Sequence, residues 1–340
     1  MIRPLRHAAA AALLAALALP AAAAGPGHPS GLHVAARIGG PDGGWDYASF
    51  DAARRRVYVA HGSQVIAIDA DSGKANFAFA AGAHLHSIAA VPGADVLVTT
   101  NSGDDTARII AASDGRLLAS IPVAKDADGA QYDPASGLVV VISGDGGALT
   151  LVDPGARKAV GSIVVGDKLE FGAPDGKGRF FVNLVEKNEV AMVDLAARKV
   201  LARYALPGCA EPTGLAYVAG QRLIVDCGNG GVDILDAGSG RAIATFKVGG
   251  FPDAVLYDPR RRLAYVPSAF GGTLSVIALS GPRANTIIDT IPTQLGARTG
   301  AVDPKTGRVY LPTAEYILPV PAGQRPTTKP GTFAILVLDR

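Results

Sequence analysis

Two histidines, His84 and His86, are the side chains in this sequence best suited to bind a metal ion. They are two residues apart in an extended segment, so both should project from the same side of the chain. Together with Glu211, or with Glu170 or Asp253, they would offer a divalent cation mixed nitrogen and oxygen ligands. The sequence contains no diagnostic His-Glu-x-x-His spacing. We therefore treat a divalent metal as the one cofactor that the sequence suggests, with His84, His86 and Glu211 as its predicted ligands.

Ionisable and aromatic side chains recur just before the first strand of each of a series of repeated units. Only 18% of the residues are charged, so this recurrence predicts that the groups converge at one end of the molecule. Such a cluster would bind a ligand; the alternative is that the groups are solvated loop residues or join neighbouring units by salt bridges. The predicted ligand-binding residues are Trp45, Asp46, Tyr47, His84, His86, Asp128, Glu170, Glu211, Asp253, Arg298 and Glu315.

Nucleophilic catalysis has less support in the sequence. There is no Gly-x-Ser-x-Gly motif, and no serine lies beside an evident His-Asp pair. A lactonase- or isomerase-type enzyme remains the alternative, in which a carboxylate or histidine activates water and Arg298 stabilises the developing oxyanion. The prediction is a binding and interaction scaffold for a small ligand, a metal complex or a partner protein. No catalytic residue is assigned.

The elements that must position these residues are strands that repeat about every 42 residues. In the clearest copies an Asp-centred turn, such as Tyr132-Asp133-Pro134 or Tyr257-Asp258-Pro259, leads into a β-branched strand. Four short strands per unit at this period are typical of propeller blades of the WD40-like kind. The sequence therefore predicts an all-β fold, a seven-bladed β-propeller of four-stranded antiparallel blades.

The repeats also predict how the ring closes. The last unit lacks a fourth strand, whereas residues 34–40 match residues 244–250, the outermost strand of an internal blade. An N-terminal strand should therefore complete the last blade and close the ring, which covers edges that a linear array of repeats would expose. The predicted blades are residues 45–87, 88–130, 131–171, 172–214, 215–254, 255–300 and 301–340 plus strand 34–40.

Several segments resemble the YVTN-repeat or YncE-like seven-bladed β-propellers of bacterial cell envelopes. They are residues 43–47, 175–178, 181–183, 209–214, 296–299 and 313–315, and the resemblance extends over nearly all of residues 25–340. It implies the propeller fold. It implies little about function, because the fold hosts lactonases, isomerases, cofactor enzymes and binding scaffolds.

The N-terminus reads as a signal peptide of residues 1–24. Arg3 and Arg6 precede an apolar run over residues 8–19, and an Ala-x-Ala site ends at Ala24. The alternative is a membrane anchor, but the run is short for a span and no later segment is long enough. We expect a periplasmic or secreted protein with residues 25–340 as one domain. In that oxidising environment Cys209 and Cys227 should form a disulfide.

The charge balance of the chain restricts the classes of binding partner that we expect. Removing Arg3 and Arg6 reduces the 32 basic residues to 30, equal to the 30 acidic ones. A neutral protein has no overall field that attracts nucleic acid, so a small ligand or an envelope protein is the expected partner of a monomer. The proline-rich segment 313–332 is either a loosely ordered linker or a lid or partner-docking loop beside the predicted site.

Overall fold

The structure, a computed structural model, describes residues 28–319 and 326–340, in which every regular element is a β-strand. The predicted signal peptide lies outside the described residues. No helix in the described residues is long and apolar enough to cross a membrane. The strands form seven four-stranded antiparallel sheets, which confirms the predicted seven-bladed propeller.

The chain builds its blades from the inside outward. The first strand of the chain, β1 (His33–Gly39), belongs to the last blade. Four consecutive strands then form each of six blades, with the first strand innermost. Blade 1 contains β2 (Trp45–Asp51), β3 (Arg56–His61), β4 (Gln64–Asp69) and β5 (Ala75–Ala81). Blade 2 contains β6 (Leu85–Ala90), β7 (Leu97–Asn101), β8 (Thr106–Ile110) and β9 (Leu117–Pro122). Blade 3 contains β10 (Ala127–Asp133), β11 (Leu138–Ser143), β12 (Ala148–Asp153) and β13 (Lys158–Val164).

The next three blades follow the same order. Blade 4 contains β14 (Leu169–Pro174), β15 (Arg179–Leu184), β16 (Glu189–Asp194) and β17 (Lys199–Ala205). Blade 5 contains β18 (Pro212–Val218), β19 (Arg222–Cys227), β20 (Gly231–Asp236) and β21 (Ala242–Lys247). Blade 6 contains β22 (Leu256–Asp258), β23 (Leu263–Ser268), β24 (Thr273–Ala278) and β25 (Thr286–Pro292).

Blade 7 closes the ring with strands from both ends of the chain. It contains β26 (Ala301–Val302), β27 (Val309–Thr313), β28 (Ala334–Asp339) and, as its outermost strand, β1. Strand β1 pairs antiparallel with β28, from His33 opposite Asp339 to Gly39 opposite Ala334. The predicted closing strand is therefore confirmed, and it satisfies the backbone groups of β28 that would otherwise form an open edge.

The apolar core lies between neighbouring blades. One cluster combines Ile142 and Leu149 of blade 3 with Phe180 and Leu184 of blade 4, all fully buried. Middle strands such as β11 are buried on both faces, which explains their continuous runs of Val and Ile. Truncating a buried ring such as Phe180 to alanine should cost about 3–5 kcal/mol. This packing fixes the positions of the innermost strands around the central channel.

Candidate functional site

Equivalent residues at the start of the innermost strands come together at one end of the central channel, which we call the mouth. In blades 1 to 5 this position is the second residue of the strand, and in blade 6 it follows the bridge between Pro252 and Ser268. In blades 1 to 5 the strand pairing also shifts register there. Such bulges redirect side chains and are frequent beside functional sites. The six residues are Asp46, His86, Asp128, Glu170, Thr213 and Asp253.

Three of these residues, from three different blades, are arranged as a ligand set for a cation. The ligand atoms of Asp46, His86 and Asp128 all lie within 4.8 Å of one another. His86 Nδ1 is 2.5 Å from Asp46 Oδ2 and 3.3 Å from Asp128 Oδ1. We call Asp46, His86 and Asp128 the triad. No other group of three ligand-type side chains in residues 28–319 and 326–340 is as close.

His84 and Ser102 contact the triad on its outer side. His86 Nε2 lies 2.9 Å from Ser102 Oγ and 3.3 Å from His84 Nδ1, and His84 Nδ1 is 2.7 Å from Ser102 Oγ. His84 has a left-handed backbone, with φ of 52°, and precedes the strand instead of continuing it. The two imidazoles nevertheless meet edge to face, with centroids 4.7 Å apart. His84 therefore orients His86 from the solvent side.

Glu170 and Tyr47 form the floor of the mouth. The Tyr47 hydroxyl donates a hydrogen bond of 3.1 Å to Glu170 Oε1. The buried Tyr47 ring packs against Phe171 with centroids 4.4 Å apart. Tyr47 also lines a second cavity, of about 350 Å³, which the innermost strands enclose further along the channel. The hydrogen-bonded pair thus separates the mouth from the rest of the channel.

Crowding of acidic groups dominates the electrostatics. Burial and the neighbouring carboxylates, Asp46 among them, raise the pKa of both Asp128 and Glu170 well above the usual range. Burial alone would lower the pKa of His86, but its hydrogen bond to Asp46 and the surrounding carboxylates raise it. Burial and the same acids also raise the pKa of Tyr47. Four carboxylates, counting Asp253, therefore face only two groups that can carry positive charge, the His86 imidazole and one guanidinium. This excess of acidic groups favours the binding of an added cation.

The guanidinium belongs to Arg298, which joins blade 7 to blades 6 and 1. Its Nε donates to Asp253 Oδ2 at 2.8 Å and its Nη2 to the Trp45 carbonyl oxygen at 2.9 Å. The charge also lies over the Trp45 ring, 5.5 Å from the centroid. Burial raises the pKa of Asp253 to about 6, although Arg298 acts in the opposite direction.

An open cavity of about 480 Å³ lies above this ion pair. We call it the aromatic pocket. Its walls come from the loops of blades 1, 5, 6 and 7 and from both described ends of the insertion between β27 and β28. The rings of Phe251 and Phe270 remain 50% and 46% exposed. The lining residues are Gly44, Trp45, Thr213, Phe251, Asp253, Ala269, Phe270, Arg298, Tyr316, Pro326 and Thr328.

A disulfide joins Cys209 and Cys227 in blade 5, as the sequence predicts. The buried Asp226 precedes Cys227 and accepts hydrogen bonds at its Oδ1 from Thr213 Oγ1 and the Gly214 amide. Its Oδ2 is buried and has no protein partner. Burial raises the pKa of Asp226 to about 7, against these hydrogen bonds.

The structure brings most, but not all, of the predicted binding residues together. Trp45, Asp46, Tyr47, His84, His86, Asp128, Glu170, Asp253 and Arg298 form the connected network described above. Glu211 is exposed, has a φ of 57°, and places Thr213 at the position equivalent to Asp128. Glu315 is exposed on the insertion and pairs with Lys329 at 3.2 Å. The predicted metal set of His84, His86 and Glu211 is not the group whose atoms converge in the described residues.

Four participating residues are not among the residues predicted to bind a ligand: Ser102, Asp226, Phe270 and Tyr316. Ser102 and Phe270 lie in loops that the sequence places beside the mouth, and Tyr316 lies in the segment 313–332 that the sequence predicts to be a linker, a lid or a docking loop. Asp226 had a detectable signal, because a carboxylate in the apolar run from Leu223 to Cys227 needs a reason to be buried. Tyr316 had none, because it reaches the pocket only through its antiparallel bridge with Thr328 across the insertion.

Solved structures resemble this chain in fold at low sequence identity. U3-55K aligns with a TM-score of 0.76 and 10% identity over 93% of this chain and all of its own, 100%. A chain of the mitotic checkpoint complex aligns with a TM-score of 0.70 and 16% identity, over 90% of this chain and 96% of its own. Kuenenia stuttgartiensis hydrazine synthase aligns with a TM-score of 0.69 and 16% identity, over 81% of this chain and 92% of its own. No protein-family model and no curated protein sequence matches the chain. These likenesses support the WD40-like propeller fold; membership of the YVTN-repeat family stays a prediction.

Proposed function

We propose that this protein is an exported propeller scaffold that binds a divalent cation at the triad of Asp46, His86 and Asp128. The observation that carries the proposal is the convergence of three ligand atoms within 4.8 Å from three blades. Because apolar cores shared between neighbouring blades fix these strands, the ligands are positioned before the ion arrives, which reduces the cost of binding.

The donor set indicates which ions fit. One imidazole nitrogen with two carboxylate oxygens suits zinc, manganese, cobalt or nickel better than copper(I), which prefers sulfur ligands. Three protein ligands leave at least one coordination position for water or for an external ligand. Glu170, at the equivalent position of the next blade, would accept a proton or a hydrogen bond from a bound water. The site is therefore suited to recognising a metal complex or a ligand through the ion.

Export and an envelope partner are part of the same proposal. A disulfide between Cys209 and Cys227 is what an oxidising compartment permits, and the first 24 residues read as a removable signal. Among the similar structures, one belongs to the mitotic checkpoint complex and another to hydrazine synthase, so the same propeller fold occurs both in an assembly and in an enzyme. We infer a periplasmic or secreted monomer whose mouth receives a small ligand or a protein partner.

Calorimetric titration of chelator-treated protein with Zn²⁺ and Mn²⁺ tests the cation site. The wild type should bind one equivalent, and Asp128→Asn and His86→Ala should each lower the affinity at least about tenfold. Glu211→Gln is the matched control, since it removes an exposed carboxylate of the same mouth and should leave the affinity unchanged. If Glu211→Gln abolishes binding and Asp128→Asn does not, the ligand set is His84, His86 and Glu211 instead. If neither ion binds the wild type, the proposal is wrong.

A second candidate is a lactonase- or isomerase-type enzyme at the same mouth. The observation in its favour is Asp253, whose pKa of about 6 suits general acid-base catalysis and whose partner Arg298 is an oxyanion stabiliser. Turnover of a lactone panel with a pH profile that changes in Asp253→Asn would support the enzyme. Equal rates for the wild type and Asp253→Asn would remove it.

A further inference from the structure

The aromatic pocket is a binding site separate from the cation triad. It lies over the Asp253–Arg298 pair and has a volume of about 480 Å³, within the roughly 300–1,000 Å³ usual for small-molecule sites. Phe251 and Phe270 meet edge to face with centroids 4.9 Å apart, and Phe270 lies 6.5 Å from Tyr316. Large rings left half in water around one cavity are typical of a ligand-binding surface.

The polar floor of the pocket restricts what can fill it. Arg298 is largely buried, and its charge is balanced by Asp253, so the floor itself is neutral. A purely apolar occupant would remove the remaining water from this ion pair without replacing its hydrogen bonds, at a cost of several kcal/mol. The occupant must therefore combine an apolar face for the rings with neutral hydrogen-bonding groups for the floor.

We propose that the aromatic pocket binds a neutral sugar. The C–H face of a pyranose ring packs on Phe251, Phe270 and Tyr316, while neighbouring hydroxyls donate to Asp253 and accept from Arg298. A sugar acid fits less well, because Asp46, Asp128 and Glu170 leave the surroundings acidic and Arg298 is already paired. The proposal requires neither the cation nor catalysis.

The insertion between β27 and β28 supplies the outer wall. Tyr316 and Thr328 form an antiparallel bridge, and Pro326 and Thr328 line the cavity opposite Phe270. Within this base Lys329 pairs with Glu315, so the pair joins the two described ends of the insertion to each other. The described part of the insertion therefore forms one wall of the cavity.

The chain contains a single tryptophan, Trp45, and it lines this pocket, so tryptophan emission excited outside the tyrosine absorption reports on the surroundings of the pocket. Probes are glucose, galactose, N-acetylglucosamine and their β-1,4-linked dimers, with galacturonate as the acidic analogue of galactose. We expect a saturable change in Trp45 emission at millimolar concentrations of at least one neutral probe. Phe270→Ala should weaken that binding at least about tenfold, and Phe270→Tyr should restore it.

Leu117→Ala is the matched control, because Leu117 is a 54% exposed apolar residue on the outer strand of blade 2. It should bind like the wild type. No saturable change with any neutral probe, unchanged binding by Phe270→Ala, or tighter binding of galacturonate than of galactose would each overturn the proposal. Repeating the titration with a chelator separates the two sites. If the protein binds no cation, the cation proposal fails, and a sugar response that persists in the same protein still supports this inference.

Discussion

Strand β10 carries a buried aspartate near each end, and the two have opposite surroundings. Asp128 lies at the mouth, and Asp133 lies five residues later at the opposite face of the ring. Strand β2 carries a similar pair, the half-buried Asp46 at the mouth and the buried Asp51 at the other end. Residue type and strand are the same within each pair, so any difference in their role must come from the neighbouring groups.

At the face opposite the mouth, each aspartate has its own donors. Asp133 Oδ2 accepts from the Ser136 amide at 2.9 Å and its hydroxyl at 2.7 Å. Asp303 accepts from Arg55, the Lys305 amide and the Thr306 hydroxyl, and these donors lower its pKa although burial opposes them. Asp133 Oδ1 is buried without a partner among the described residues, so this turn supplies donors to only one of its two oxygens. Such carboxylates stabilise turns through donors of the neighbouring chain.

At the mouth, carboxylates face one another instead. The acidic neighbours of Asp128 and Glu170, together with burial, raise their pKa values. The comparison teaches that a buried acid supplied with donors by its own turn is structural, whereas acids from different blades that face one another form a site for a cation. The following predictions separate the two classes.

The largest effect should come from removing a satisfied acid. Asp303→Ala deletes the centre of the blade 7 turn and leaves Arg55 without this partner, 2.8 Å away in the wild type. We expect a loss of about 3–5 kcal/mol in the free energy of unfolding, measured with urea. Asp145→Ala, which removes only an exposed pair with Lys125, is the control and should change little. A loss below 1 kcal/mol in Asp303→Ala, on the order of a surface pair, would contradict a structural role.

Asp226 should make the stability depend on pH. Its pKa rises from 3.8 to about 7 on folding, so the folded state favours the protonated form. Its contribution is therefore complete below about pH 4 and is lost as the pH rises to about 7, on the order of 2–4 kcal/mol. Asp226→Asn keeps a carbonyl oxygen for Thr213 and should remove most of this slope in unfolding measured between pH 4 and 8. An unchanged slope would show that Asp226 is charged in the folded protein.

Removing a crowded acid should stabilise the cation-free protein. Asp128→Asn removes a charge that burial and the neighbouring Asp46 disfavour, and we expect a gain of about 1–2 kcal/mol in the free energy of unfolding at pH 8 with a chelator present. Glu315→Gln, an exposed acid outside the triad, serves as the comparison. Destabilisation by Asp128→Asn would place Asp128 in the structural class.

The smallest effect belongs to an exposed acid that has its own cation. Lys329→Ala breaks the pair with Glu315, whose two side chains are 62% and 53% exposed. The expected change in unfolding free energy is below about 1 kcal/mol. A larger loss would show that this pair holds the insertion in place.

The sequence predicts the fold well because one period repeats seven times and each copy carries its own turn residues. Most of the mouth is predictable for the same reason, since equivalent loops must converge around the axis. Glu211 shows where this prediction fails. Glu211 has a left-handed backbone and precedes the strand, and the strand contains a bulge, so Thr213 occupies the mouth position of blade 5. The aromatic pocket is less predictable still, because Tyr316 and Thr328 meet through an insertion with no repeat to compare.

The most direct test compares two variants of one strand, Asp128→Asn and Asp133→Asn, by thermal unfolding with and without Zn²⁺. At a concentration about 100 times the dissociation constant, the ion should stabilise the wild type by about 2.7 kcal/mol. We predict that Asp133→Asn unfolds at a lower temperature and keeps the full Zn²⁺ shift, whereas Asp128→Asn is stable and loses it. Equal Zn²⁺ shifts in the two variants would contradict the assignment of the mouth as the cation site.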